Sequence, residues 1–184
     1  MNAPSVSSRR AFTLIELLVV ISILAVLMTL LFPAVSRVFD TAKKTQAKND
    51  ATQLASAVTA YYAEYGKMPL AENNDDDINK DAALVKVLSG QDEQQNPRKI
   101  VFLEIPNAKA GKNGAVSQGG AYTGPFMDSW GKPYAVYVDG NYDNSITVPD
   151  GVGVIRKTVA VYSKGNPSNK KDYTDPKKFV KSWE

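Results

Sequence analysis

The stretch that decides the fold is Phe12-Thr13-Leu14-Ile15-Glu16-Leu17-Leu18-Val19-Val20-Ile21-Ser22-Ile23-Leu24-Ala25-Val26-Leu27-Met28-Thr29-Leu30-Leu31-Phe32, in which only Thr13, Glu16, Ser22 and Thr29 are polar. As a helix it rises about 31 Å, the depth of a hydrocarbon core of about 30 Å. Arg9 and Arg10 stand directly before it, so the positive-inside rule places the N-terminus in the cytoplasm and the chain after Pro33 outside. Lys43, Lys44 and Lys48 run against that assignment. A secretory signal with Ala34-Val35-Ser36 as its small-x-small site, and a plain single-pass anchor, are the competing readings. Neither accounts for Glu16, since a carboxylate at mid-membrane costs roughly 2.5–3.5 kcal/mol and calls for a partner.

Beyond the membrane stretch, Val35, Val38, Phe39 and Ala42, then Ala51, Leu54, Ala55, Val58, Tyr61, Tyr62 and Tyr65, recur at spacings of three and four, which predicts a continuing amphipathic helix. Lys43, Lys44, Lys48, Asn49 and Asp50 interrupt the stripe, predicting a middle section that is solvated or faces other subunits. Pro33 removes one backbone donor and is expected to kink or loosen the helix. Gly66 and Pro69 end it.

Composition removes most chemistry. Among the 184 residues there is no cysteine and no histidine, which excludes disulfides, Cys/His zinc sites, Cys nucleophiles and His-based catalysis. A formal charge of +3, much of it from Arg9 and Arg10, gives no reason to expect a nucleic-acid partner. An enzyme would have to rely on Ser/Lys or paired-carboxylate chemistry, and nothing in the sequence assembles such a site; no catalytic residue is expected.

Arg9-Arg10-Ala11-Phe12-Thr13-Leu14-Ile15-Glu16-Leu17 resembles the processing and methylation motif of type IV pilins and type II secretion pseudopilins. The resemblance implies cleavage between Ala11 and Phe12 by a prepilin peptidase, N-methylation of Phe12, and an assembly role for Glu16, which would neutralise the N-terminal amine of a neighbouring subunit. Ala11 stands where the family usually has glycine. Burying amine and carboxylate separately is costly, so pairing them favours one axial register. Asp128-Ser129-Trp130-Gly131-Lys132-Pro133-Tyr134 is similar to the Asp-x-Trp-Gly-x-Pro-Tyr signature of major pseudopilins. Tyr162-Ser163-Lys164-Gly165 and Lys181-Ser182-Trp183 are similar to their Tyr-Ser-x-Gly strand end and closing Trp.

The organisation expected is a leader at 1–11, a transmembrane helix half at 12–32, an amphipathic half at 33–66, a variable connection at 67–121 and a C-terminal β region at 122–184. The fold class is α+β, a pilin fold with the long helix packed on a small antiparallel sheet. Tyr134–Val138 and Thr158–Tyr162 read as paired strands. Asp81–Leu88 reads as a short helix, Ile100–Ile105 as a buried strand or extended segment, Lys109–Gly120 as an exposed loop, and the acidic run from Glu72 to Asp77 as a solvated loop. Trp130 and Trp183 read as core anchors.

The resemblance further implies a calcium site shortly before the closing Trp, but Lys177, Lys178 and Phe179 occupy those places, leaving only Asp172 and Asp175. Upstream, residues 139–150 follow a calcium-loop pattern, with Asp139, Asn141, Asp143, Ser145 and Asp150 as oxygen donors and Asn144 where glycine is usual. A metal-free hairpin turn is the competing reading. Together these features imply a pseudopilus subunit whose partners are copies of itself, other pseudopilins and the inner-membrane assembly platform. It would be held in the bacterial inner membrane with its C-terminal domain in the periplasm. A surface type IV pilin is the alternative, disfavoured by the absence of the cysteine pair that many such pilins use.

Overall fold

The structure, a computed structural model, describes residues 12–72 and 74–184. The leader, including Ala11, lies outside the described residues, as does Asn73 in the acidic run. The chain divides into two units, residues 1–41 and 42–184. One helix, α1 (Leu14–Tyr65), runs through the division and through Pro33.

In the first unit, the described residues form the start of α1 and every large apolar side chain from Phe12 to Phe39 is exposed, Val20 least of all at 47 %. Among the described residues α1 is the one helix long and apolar enough to cross a membrane. A surface of this size leaves water only by entering lipid or packing on other chains.

The second unit has its own core. α1 buries Ala47, Ala51, Leu54, Ala57, Val58 and Tyr61, so the buried stripe begins earlier than the polar interruption suggested. Asp50 is buried as well, while Lys48 Nζ donates to the carbonyls of Lys181 and Glu184. The middle section is thus packed at Lys48 and Asp50, while Lys43, Lys44 and Asn49 are exposed, as a solvated section requires. Gly66 ends the helix with a φ of +67° and an N–H to the Tyr62 carbonyl at 2.8 Å, a left-handed stop that a Cβ would strain.

Helix α2 (Ala83–Leu88) follows, its first N–H accepted by Asp81 at 2.7 Å and its Leu84, Val85, Val87 and Leu88 buried. Of the two expectations for Ile100–Ile105, a buried strand or an extended segment, the strand is not formed. The segment joins no sheet; Phe102 and Leu103 both donate to the Leu88 carbonyl, and Val101 is 56 % exposed. Two successive N–H groups turned to one carbonyl break the alternation a ladder needs. The 109–120 stretch is also more ordered than a plain loop. Ala115 is fully buried, and β1 (Ser117–Gln118) pairs with β2 (Ala121–Tyr122).

Strand β3 (Ala135–Val138) pairs antiparallel with β6 (Val159–Ser163), Ala135 opposite Tyr162, and β6 pairs with β7 (Val180–Lys181). β4 (Ile146–Val148) and β5 (Gly153–Ile155) form a separate hairpin. The two-residue period sorts the central strands. Val136, Val138, Val159 and Val161 join the cluster built on α1 and α2, whereas Ala160 and Tyr162 join a second one with Ile146, Val148 and Phe179. A long helix against small antiparallel sheets is the expected α+β architecture, consistent with a pilin fold. Trp130 and Trp183 are partly buried, each packed at the margin of one cluster.

Candidate functional site

The N-terminal site is built on the first turn of α1. Thr13 N–H and Thr13 Oγ donate to Glu16 Oε2 at 2.9 and 2.8 Å, and Glu16 N–H donates back to Thr13 Oγ1 at 3.2 Å. This reciprocal pair is a capping box; it satisfies backbone groups that a helix start leaves open. It also gives the Glu16 carboxylate donors within its own chain, one turn from Phe12. The proposed cleavage partner Ala11 lies outside the described residues. Thr13 is the functional neighbour that sequence reasoning missed, although the Thr-x-x-Glu spacing before an apolar run signals it.

The second site is the Asp128 turn. Asp128 is fully buried; its Oδ1 accepts the N–H groups of Trp130 (2.9 Å) and Lys132 (2.8 Å), and its Oδ2 accepts Ser163 Oγ at 2.5 Å. Ser163 Oγ in turn accepts Gly165 N–H at 3.0 Å. One carboxylate therefore closes the Asp128–Tyr134 turn and fastens it to the end of β6, joining the two motifs that sequence reading treated separately. Burial pushes the Asp128 carboxyl up, against the lowering effect of these hydrogen bonds. At the far end of the motif, Tyr134 OH lies 3.2 Å from Asp50 Oδ2 on α1, whose Oδ1 accepts Gln46 Nε2 at 2.7 Å. Burial raises the Asp50 carboxyl too, ahead of the opposing bonds from Gln46 and Tyr134. The signature is thus a brace between turn, strand end and helix.

The 139–150 loop closes on itself. Asp139 accepts the N–H groups of Asp143 (3.1 Å) and Asn144 (2.9 Å). Asp143 Oδ1 accepts Ser145 N–H (2.8 Å) and Oγ (2.7 Å), and Asn141 exchanges bonds with Asp143 at 3.1 Å. These bonds hold the Asp143 carboxyl below its usual range, the Ser145 hydroxyl contributing most. Asp150 is engaged elsewhere, accepting Tyr162 OH at 2.9 Å and pairing with Lys164 at 2.8 Å. Four of the five expected donors, Asp139, Asn141, Asp143 and Ser145, are thus joined by hydrogen bonds within the loop, while the fifth, Asp150, is held by Tyr162 and Lys164. Among the described residues no group of three or more acidic side chains is placed to hold a metal. Asp175 caps the 3-10 turn Pro176–Lys178 through Lys177 N–H at 3.0 Å, and Asp172 lies in the short helix α3 (Lys170–Tyr173).

The acidic run is only partly a solvated loop. Asp77 Oδ1 accepts Asn79 N–H and Val136 N–H, each at 3.0 Å, and Asp75 Oδ2 accepts Thr147 N–H at 2.9 Å, so the run is stitched to β3 and β4. At Gly140 a Cβ would lie 2.2 Å from the Asn74 carbonyl, which fixes glycine where the two loops touch.

Residues 6–32 match the family described as the prokaryotic N-terminal methylation motif. The match covers Arg9, Arg10, Ala11, Phe12, Glu16 and the whole apolar run. Neither the curated proteins nor the solved structures contain a match to the chain. The chain thus carries a prepilin-type leader, of the kind prepilin peptidases process, followed by one exposed apolar helix suited to membrane anchoring.

Proposed function

We propose that the chain is a structural subunit of a type II secretion pseudopilus. It would be inserted in the inner membrane with its second unit in the periplasm, cut between Ala11 and Phe12, N-methylated, and assembled with copies of itself and other pseudopilins by an inner-membrane platform. The carrying observation is the methylation motif of residues 6–32, which takes in the apolar start of α1, where every large side chain is exposed and the run from Phe12 to Phe32 bears one carboxylate, Glu16. Such a helix is at home in lipid or in a bundle of its own kind, and both settings occur in turn for a filament drawn from a membrane. Here Thr13 serves as the donor for Glu16 before assembly, and a neighbour's methylated Phe12 amine replaces it afterwards. The pseudopilus is favoured over a surface pilus by the brace around Asp128 and Tyr134, the residues that resemble the major-pseudopilin signature.

Deleting the gene tests the reading. The expected result is accumulation in the periplasm of proteins normally released to the medium, restored by the wild-type chain and not by Glu16→Val, with surface adhesion and motility unchanged. Normal secretion with lost surface filaments would assign the chain to a pilus.

A further inference from the structure

The charge of the second unit is concentrated in two patches. Residues 72–81 carry five carboxylates and one lysine, a net −4, and residues 156–178 carry seven cations and two carboxylates, a net +5; everything else in residues 42–184 sums to +1. Arg156, Lys157, Lys170, Lys171, Lys177 and Lys178 are all exposed. Among the described residues none of these six is in a salt bridge; Lys164 is the cation of the segment that is paired, with Asp150. In the acidic patch the corresponding pair is Asp76 with Lys80, at 3.6 Å and exposed.

One hairpin, β4–β5, touches both patches. Thr147 on β4 binds Asp75, and Gly151 at the hairpin's turn lies against Pro176, a Cβ there falling 3.1 Å from its Cγ. Yet no ion pair joins them among the described residues. Each patch therefore keeps its own like-charge repulsion, which an opposite surface brought from outside would relieve. A second copy supplies both signs in equal number.

We propose that the lysine patch on α3 and the 3-10 turn docks against the 72–81 acidic patch of a neighbouring copy, forming a heterologous contact along the filament. This rests on the filament reading above and adds the surfaces that meet. Heterologous pairing leaves one unmatched patch at each end, so it propagates into an open fibre. Charge complementarity of this kind sets register and encounter rate, and it weakens in salt.

The test uses the full chain in its native membranes, where the absence of cysteine gives a clean background. Co-expressed Asp76→Cys and Lys178→Cys chains should form a disulfide-linked dimer, neither alone should do so, and a chain bearing both should give a ladder. Reversing the remaining lysines (Lys170→Glu, Lys171→Glu, Lys177→Glu) in the two-cysteine chain should cut the ladder by roughly fivefold or more, the factor that corresponds to about 1 kcal/mol spread over several weak pairs. Adding Glu72→Lys and Asp81→Lys should restore it to within about twofold. The two-cysteine chain with Lys170, Lys171 and Lys177 retained keeps the test valid if the reversed chain misfolds. Formaldehyde ladders without the 76–178 disulfide would overturn the contact while leaving the filament. Absence of any ladder from the wild type would overturn both. Loss on lysine reversal with no restoration would assign the lysines to another anionic surface, such as lipid headgroups, and overturn the proposal.

Discussion

Asp128→Ala should be among the most damaging single changes in the second unit. It strands the N–H groups of Trp130 and Lys132 and the hydroxyl of Ser163, three donors now held by one buried carboxylate. A donor left unpaired away from water costs about 1–3 kcal/mol, and the partly buried N–H groups belong at the low end, giving about 3–5 kcal/mol in all. Burial raises the Asp128 carboxyl, so its charge is itself a net burden on the fold and part of the loss is returned when it goes. Asp128→Asn separates the two effects. Its oxygen can keep both N–H groups while its amide donates to Ser163 Oγ, and the loss should be about 1 kcal/mol. For a unit of this size about 3 °C accompanies each kcal/mol, so the Ala variant should melt about 10–15 °C below wild type and the Asn variant about 3 °C below. Urea and thermal unfolding of the full chain in detergent micelles, followed by near-ultraviolet circular dichroism, measures both. An Ala variant within 1 kcal/mol of wild type, or Asn and Ala variants of equal stability, would refute the assignment of Asp128 as the donor-satisfying brace.

Three further outcomes are expected. Thr13→Val should remove the capping box and speed amide exchange across Leu14–Leu18 in micelles by about fivefold, corresponding to about 1 kcal/mol; unchanged exchange would deny Thr13 this role. Burial raises the Asp50 carboxyl, so the native state holds its proton more tightly than the unfolded chain, and this group's contribution to stability declines as pH rises above about 4. Asp50→Asn should therefore melt with a flatter dependence on pH than wild type, and an unchanged slope would contradict the sign. Because the 139–150 loop satisfies its own carboxylates, calcium and chelator should give the same melting temperature, whereas a site at a hundredfold saturation would add about 2.7 kcal/mol.

Patterns that live within one element were legible in the sequence. The stripe Ala51, Leu54, Val58, Tyr61 placed the core face of α1, Gly66 its end, and the β-branched and aromatic runs at 134–138 and 158–162 the paired strands, each within a residue of the strands observed, because helical and strand periods follow directly from backbone geometry. What depended on distant partners was not. Asp50 reads as part of a polar interruption, and only the approach of Tyr134, far along the chain, makes it a buried acceptor. Ile100–Ile105 has strand composition, but the Phe102 and Leu103 N–H groups are taken by the end of α2. The calcium spacing of residues 139–150 is satisfied equally by a turn that bonds to itself, and Lys164, which captures Asp150, lies outside the motif. Thr13 differs from these. Its partnership with Glu16 is local, and the spacing was present in the sequence all along.

The central claim is that residues 1–11 are a leader whose removal frees Phe12 for methylation and assembly. Intact-mass and N-terminal peptide mass spectrometry of the membrane-extracted protein tests it most directly. The mature chain is expected to begin at N-methyl-Phe12, a start lost when a bulky residue replaces Ala11 and retained in Ala11→Gly. A chain beginning at residue 37, after Ser36, or one that keeps residues 1–11 intact, would contradict it.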